Sequence, residues 1–466
     1  MKLQESASGR LVGHIGFLFL MVMSVVLAQE RVLFVDSAAQ LFEMIQRGTF
    51  AIYDHRYTMA VTQLLPLLGI KLGLPLPVLV VLYSLSAPLL GYLVFLLIAY
   101  RVKDVPIALL ILLPMLCICH TFFHAISETF SLMIYATLLL VLLRHQAKSI
   151  LLVVGVVICT LACVFMHPIG MFFVLYLLGY HWVTGSEKKE KKGIVAGGAT
   201  LLVAVSVKLF LPSGHDASYI PHLADALWSL RHPFGIPVVQ SLFSGYAMCW
   251  LVPLVLYVIE FVWHLRHRLW LRLAWGATFN IGFILLTAIV YRTDTSAICV
   301  ERAWLPLVFF AGVPVVCEVV SNVNRRIQIV MTVAFSLSLA LAFGKIIDIS
   351  KQYRQRLTVL QEIVDDGRRE GHRKLVAPIA DVRDQFEVQS WATAFETLIL
   401  SSLQGPENTA TLYLEEEEPF DENIPDYGVE DAYLAVPWNR LWNYSTLDSR
   451  YFRLPLQRTT VIKKFL

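Results

Sequence analysis

The apolar positions of this chain fall into long unbroken runs, not into the narrower stripes and alternations of soluble elements. A helix needs about 20 apolar residues to cross a bilayer. The runs predict eleven spans, near 11–28, 76–99, 105–119, 124–143, 149–166, 168–184, 194–212, 238–264, 273–291, 303–319 and 328–345. Those at 105–119 and 168–184 are short and suit tilted or re-entrant segments as well as full crossings. At Met166-His167-Pro168 two runs abut, and the proline predicts a sharp turn between them.

Polar residues separate the runs in a regular phase. Lys2 and Arg10, Arg101 and Lys103, Arg144 and Lys148, the EKKEKK stretch from Glu187, HLRHR from His264, and Arg325-Arg326 occupy alternate loops. Basic loops stay on the cytoplasmic side. The N-terminus is therefore expected inside, and eleven crossings put the C-terminus outside. Residues 1–30 also read as a signal peptide with VLA before Gln29 as a cleavage site, an alternative that would remove one helix without changing the side on which residue 36 emerges.

Two regions break the pattern. Residues 29–75 form the first outer loop. There Ala39, Leu41, Phe42 and Ile45 lie on one side of a predicted helix and Gln40, Glu43 and Arg47 on the other, with Gly48 as a stop and Asp36 as a cap or a reactive group. A second helical piece, YTMAVTQLLPLLGIKLG, suits the membrane surface. Residues 346–466 hold twenty Asp/Glu against fourteen Lys/Arg and strand-like pieces KLVAPI, TLYLEE and AYLAVPW beside a helical WATAFETLILSSL. They predict a small extracytoplasmic α+β domain, with EEEEPFDENIPD as a solvated acidic loop. The fold class expected is thus mainly α: a polytopic helical module over 1–345, with outer loops 29–75 and 212–240, followed by the domain 346–466.

Composition agrees with the pattern. The chain is 57% hydrophobic and 16% charged, with mean hydropathy +0.64, which is more apolar surface than a soluble protein of 466 residues can bury. Its net charge of +3 says less than the placement of the charges. All seven cysteines lie within or beside apolar runs, as packing residues rather than disulfide partners or zinc ligands. There is no phosphate loop and no basic–aromatic array, so nucleic acid is not an expected partner.

An initial span, an outer loop opening on an Asp and two surface helices, then a long span, resembles the GT-C membrane glycosyltransferases. VDSAAQLFEMIQRG resembles that family's first-loop pattern. QLLPLLGIKLGLPLPVLVVLYSLSAPLLGYLVFLLI resembles its surface helix and second span, and HAISETFSLMIYATLLLVLLRH its polar entry into the fourth. VFMHPIGMFF resembles a turn that often reads Arg-Pro, with His167 in the basic place, and ERAWLPLVFFAGVP the late Arg–aromatic–Pro entry. The likeness runs along the transmembrane portion only and identifies no subfamily.

The resemblance implies transfer of a sugar from a polyprenyl-phosphate carrier to a lipid, glycan or protein acceptor hydroxyl, with inversion, on the extracytoplasmic side of an inner or cytoplasmic membrane. It places the family's catalytic base at Asp36. Such chemistry needs a carboxylate to take the acceptor proton and positive charge where the departing phosphate gathers negative charge. Asp54 is the second candidate base. Arg302 is expected to grip the lipid phosphate, with Arg292 as alternative. The competing reading of Arg302 is an interfacial arginine paired with Glu301 or Asp294.

Glu128 is implied to line the substrate cavity with His124 and His167. His120, His124 and Glu128 would share one face of a continuous helix, but about 12 Å of rise is too far for one ion. Metal is therefore the less favoured role; the resemblance leaves a divalent ion open, since some GT-C enzymes use one and others do not. His215, Asp216, Tyr219, His222, Asp225, Trp228, Arg231 and His232 in the loop 212–240 suit sugar contacts or a plain interfacial connection. The alternatives to an enzyme are an inactive GT-C-like scaffold and a lipid-linked sugar transporter or flippase. A polysaccharide ligase or polymerase fits less well, because its large outer loop would come late.

Overall fold

A computed structural model describes residues 7–126, 128–144, 150–185, 191–211, 225, 228, 231–232, 236–244, 247–292, 296–380, 390–416, 428–436, 439–443 and 447–462. The chain is mainly helical. Its helices are α1 (Ala7–Val26), α2 (Ala28–Val32), α3 (Asp36–Arg47), α4 (Ala60–Lys71), α5 (Leu76–Leu96), α6 (Val105–Leu109), α7 (Glu128–Arg144), α8 (Ile150–Val164), α9 (Gly170–Thr184), α10 (Lys191–Phe210), α11 (Pro237–Ser244), α12 (Ala247–Arg266), α13 (Trp270–Val290), α14 (Ala297–Pro314), α15 (Arg325–Arg369) and α16 (Ser390–Ser402). Among the described residues seven helices are long and apolar enough to cross a membrane. Leu202, Leu209, Leu271 and Leu341 on them are exposed, as lipid-facing residues would be. These features are consistent with an integral membrane protein.

The run 105–119 is not one helix. It splits into α6 and a 3-10 turn at Leu113–Leu116, where Pro114 removes a backbone donor, and its side chains are buried. The run 238–264 is divided between α11 and α12. Helices α8 and α9, at 15 residues each, are shorter than a full crossing. Helix α14, continued by a π turn over Val315–Val320, is enclosed along nearly all its length.

Two polar groups of residues sit at opposite ends of α14. Arg302 belongs to the first. In the second, Glu318 accepts from Tyr180 Oη at 2.8 Å and Arg272 Nη1 at 2.7 Å, and meets His264 Nε2 at 3.2 Å. Sixteen residues of helix put about 24 Å between them.

The turn expected at Met166-His167-Pro168 is present between α8 and α9. A Cβ on Gly170 would lie 1.9 Å from the Cys163 carbonyl oxygen, a contact with backbone that cannot swing aside. Gly170→Ala should therefore lower the thermal unfolding temperature in detergent, by an amount equivalent to about 1–3 kcal/mol; an unchanged transition would show that the turn can open.

Helix α15 is continuous for 45 residues and runs straight through position 345/346. Beyond it, β1 (Lys374–Pro378), β2 (Thr411–Glu415), β3 (Ala432–Val436), β4 (Asn439–Asn443) and β5 (Thr460–Val461) form a parallel three-stranded sheet in the order β2-β1-β5 and an antiparallel β3-β4 pair. KLVAPI, TLYLEE and AYLAVPW thus supply strands and WATAFETLILSSL supplies α16. The acidic stretch from Glu417 to Asp426 lies outside the described residues. None of the seven cysteines forms a disulfide.

Candidate functional site

Helix α3 begins at Asp36 and ends at Gly48, whose φ of 61° suits a residue without Cβ. Asp36 is the first residue of the helix, not its cap: the cap position is Val35, and no side chain caps the helix. Both faces of α3 are covered, so Gln40 and Glu43 are buried along with Leu41, Phe42 and Ile45.

Gln40 Oε1 accepts from Gln63 Nε2 at 2.9 Å and Tyr83 Oη at 2.8 Å, which ties α3 to α4 and α5. The second loop helix, α4, exposes Val61, Leu64, Leu68 and Leu72, an apolar face of the kind that rests on a membrane surface.

The Asp36 side chain keeps 42% of its surface open, and its Oδ2 lies 3.1 Å from His124 Nε2. The Nε2–H of the ring donates to the carboxylate there. Partial burial pushes the Asp36 carboxyl up; the His124 hydrogen bond and the charges of His124 and Arg302 pull it down, and Glu128 opposes them. The net result lies below the ordinary carboxylate value, so Asp36 is ionised at neutral pH. A reaction that needs this base should hold its rate through neutral pH. It should fail only as pH falls below about 4, which a pH–rate profile reads directly; an acid limb near pH 6–7 would point to another group.

Glu128, at the start of α7, is buried and gathers two arginines and a histidine. Arg56 Nη1 lies 2.5 Å from its Oε1, Arg302 Nη2 2.6 Å from its Oε2, and His167 Nε2 3.8 Å from Oε2. His167 also accepts from the Ile169 backbone N–H through Nδ1 at 3.1 Å, which fixes its ring at the α8–α9 turn. Arg302 uses Nη2 for Glu128, and a guanidinium presents five N–H donors, so the rest of its fork can face a ligand. Two guanidinium groups thus converge on one buried carboxylate beside Asp36.

The structure thus brings together Asp36, His124, Glu128, His167 and Arg302. Arg302 pairs with Glu128 across 174 positions, not with Glu301; Asp294 lies outside the described residues. Glu301 is turned the other way. It is buried and accepts backbone N–H groups of Cys119, His120 and Thr121 at 2.7–3.2 Å.

Asp54, at positive φ of 51°, lies 3.9 Å from Arg56. Arg292 is held by Asp225 at 3.1 Å. In the loop 212–240, His215, Asp216, Tyr219 and His222 lie outside the described residues, while the Trp228 and His232 rings are 5.4 Å apart.

His120, His124 and Glu128 are not on one helix. A 3-10 turn over Thr121–Phe123 is followed by an extended His124, and the helix starts only at Glu128. Burial, and secondarily the Lys345 charge, push the His120 imidazole down to about 4. No group of three or more His, Cys, Asp or Glu suited to a metal occurs among the described residues.

Arg56 is a site residue that the sequence analysis does not single out, and only its 72-residue reach to Glu128 reveals its place. Comparison of the chain with protein-family models, curated proteins and solved structures finds no match.

Proposed function

We propose that this chain is a GT-C-type membrane glycosyltransferase. It moves a sugar from a polyprenyl-phosphate carrier to an acceptor hydroxyl at the extracytoplasmic boundary of the membrane, with about eleven spans and residues 346–466 as an outer domain. One observation carries the reading: a half-open Asp36, paired with His124 at 3.1 Å, lies within electrostatic reach of Arg302, itself paired with Glu128 at 2.6 Å. In this reading the acceptor hydroxyl gives its proton to Asp36 as its oxygen attacks the anomeric carbon. The bond from that carbon to the phosphate oxygen breaks, and the carrier leaves as polyprenyl phosphate.

His124 orients the carboxylate. Glu128 holds Arg302 and Arg56 toward the phosphate, whose developing negative charge their guanidinium groups stabilise. The exposed apolar face of α4 and the separation of the two polar groups along α14 support chemistry at a membrane boundary over a charged path through mid-membrane. Purified protein in liposomes should consume a radiolabelled polyprenyl-phosphate sugar and release polyprenyl phosphate, with the product's anomeric configuration inverted. Failure across a panel of such donors and acceptors, or uncoupled movement of intact donor across the bilayer, would overturn the assignment.

A further inference from the structure

Asp36 follows a backbone that has every reason to relax. Val35 carries φ 45° and ψ −124°, a conformation that β-branched residues avoid. Such a geometry persists only where its surroundings hold it, and those surroundings come from far along the chain.

The Val35 backbone N–H donates to Glu396 Oε1 at 2.6 Å. Glu396 Oε2 pairs with Arg356, and Arg356 Nη1 donates back to the Leu33 carbonyl at 3.2 Å. The Arg356 guanidinium also lies over the Phe34 ring, 5.0 Å from its centroid, and Tyr353 meets that ring edge-on at 5.2 Å. Arg356 from α15 and Glu396 from α16 therefore grip the backbone on both sides of Phe34. Both are buried, where an ion pair tolerates little slack.

We propose that the Arg356–Glu396 pair is a positioning device for Asp36. By clamping residues 33–35 it sets where α3 begins and hence where the carboxylate points. It touches no substrate and acts through Val35. The catalytic meaning rests on Asp36 being the base, but the geometric claim does not.

The groups facing Asp36 are His124, Glu128 at the start of α7, Arg302 on α14 and the Tyr83 hydroxyl on α5. A released α3 start would carry the carboxylate away from His124 and Arg302. Carbodiimide–amine labelling, which reacts through the protonated carboxyl, can follow this on the full-length protein, read by mass spectrometry of the peptide bearing Asp36 at a series of pH values.

In the double variant Arg356→Met/Glu396→Met, which removes both charges together, labelling of Asp36 at a fixed mildly acid pH should rise about threefold, half a unit of upward displacement. Leu412→Ala opens a cavity in the same core without touching the clamp and should leave the profile where it was. If the double variant does not fold, Glu396→Gln decides. Loss of a nearby negative charge alone would pull the Asp36 carboxyl down, so an upward displacement there can come only from movement. An unchanged or lowered profile in the folded variant, or an equal shift in Leu412→Ala, would overturn the proposal. Labelling needs no donor lipid, so this result stands apart from any transfer assay. Transfer retained by a protein without the Asp36 carboxylate would sink the glycosyltransferase reading and leave the clamp in place.

Discussion

Asp36→Asn should reduce sugar transfer by two to four orders of magnitude, about 3–5 kcal/mol of barrier, while the protein stays folded and still binds donor. The amide is nearly isosteric with the carboxylate, and its oxygen can accept from His124 Nε2–H across the same 3.1 Å. Asp36 is also half-open and fills no core position, so the unfolding transition should barely move. What the amide cannot do is take a proton. Donor binding should persist because the cations proposed to meet the phosphate, Arg302 and Arg56, are held by Glu128 and not by Asp36. A variant with more than about a tenth of wild-type transfer falls outside the range for a lost general base and would remove Asp36 from that role.

Glu128→Ala should have the larger effect on the protein itself. Truncation leaves two guanidinium groups beside an emptied buried position, and breaking such a pairing from one side costs about 3–5 kcal/mol. The variant should unfold in detergent at markedly lower temperature and lose donor binding as Arg302 and Arg56 separate. The triple variant Arg56→Met/Glu128→Leu/Arg302→Met removes all three charges together and should recover most of the stability without recovering donor binding. That contrast separates a structural charge knot from a phosphate site. Donor affinity in the triple variant equal to wild type would show that the cluster only holds helices together.

Much of the local structure was legible because it depends on neighbours in sequence. The helix from Asp36 ends at Gly48 as its spacing and glycine require; the turn at Pro168 is where two apolar runs meet; KLVAPI and TLYLEE pair as β1 and β2. The readings that shifted were those that needed to know what lies alongside. Residues 105–119 looked like one continuous helix because composition does not distinguish a lipid-facing helix from a buried, proline-broken segment. His120, His124 and Glu128 have the spacing of one helix face, yet the 3-10 turn and extended His124 place them otherwise. Glu301 stands next to Arg302 in sequence, but neighbouring helix residues point about 100° apart, so Glu301 turns to the 119–121 backbone and Arg302 to Glu128.

What the sequence determined by itself is the membrane class, through apolar runs whose transfer free energy accumulates along one segment, and the presence of carboxylates and cations between them. Only the tertiary structure decided which of those charges meet. Asp36 with His124, Glu128 with Arg56 and Arg302, and Glu396 with Val35 are separated by 88, 72, 174 and 361 positions respectively. Such pairings leave no periodic trace in a single chain. They are chosen by the packing of helices, which excludes water until each buried charge must find whatever partner the fold has brought beside it.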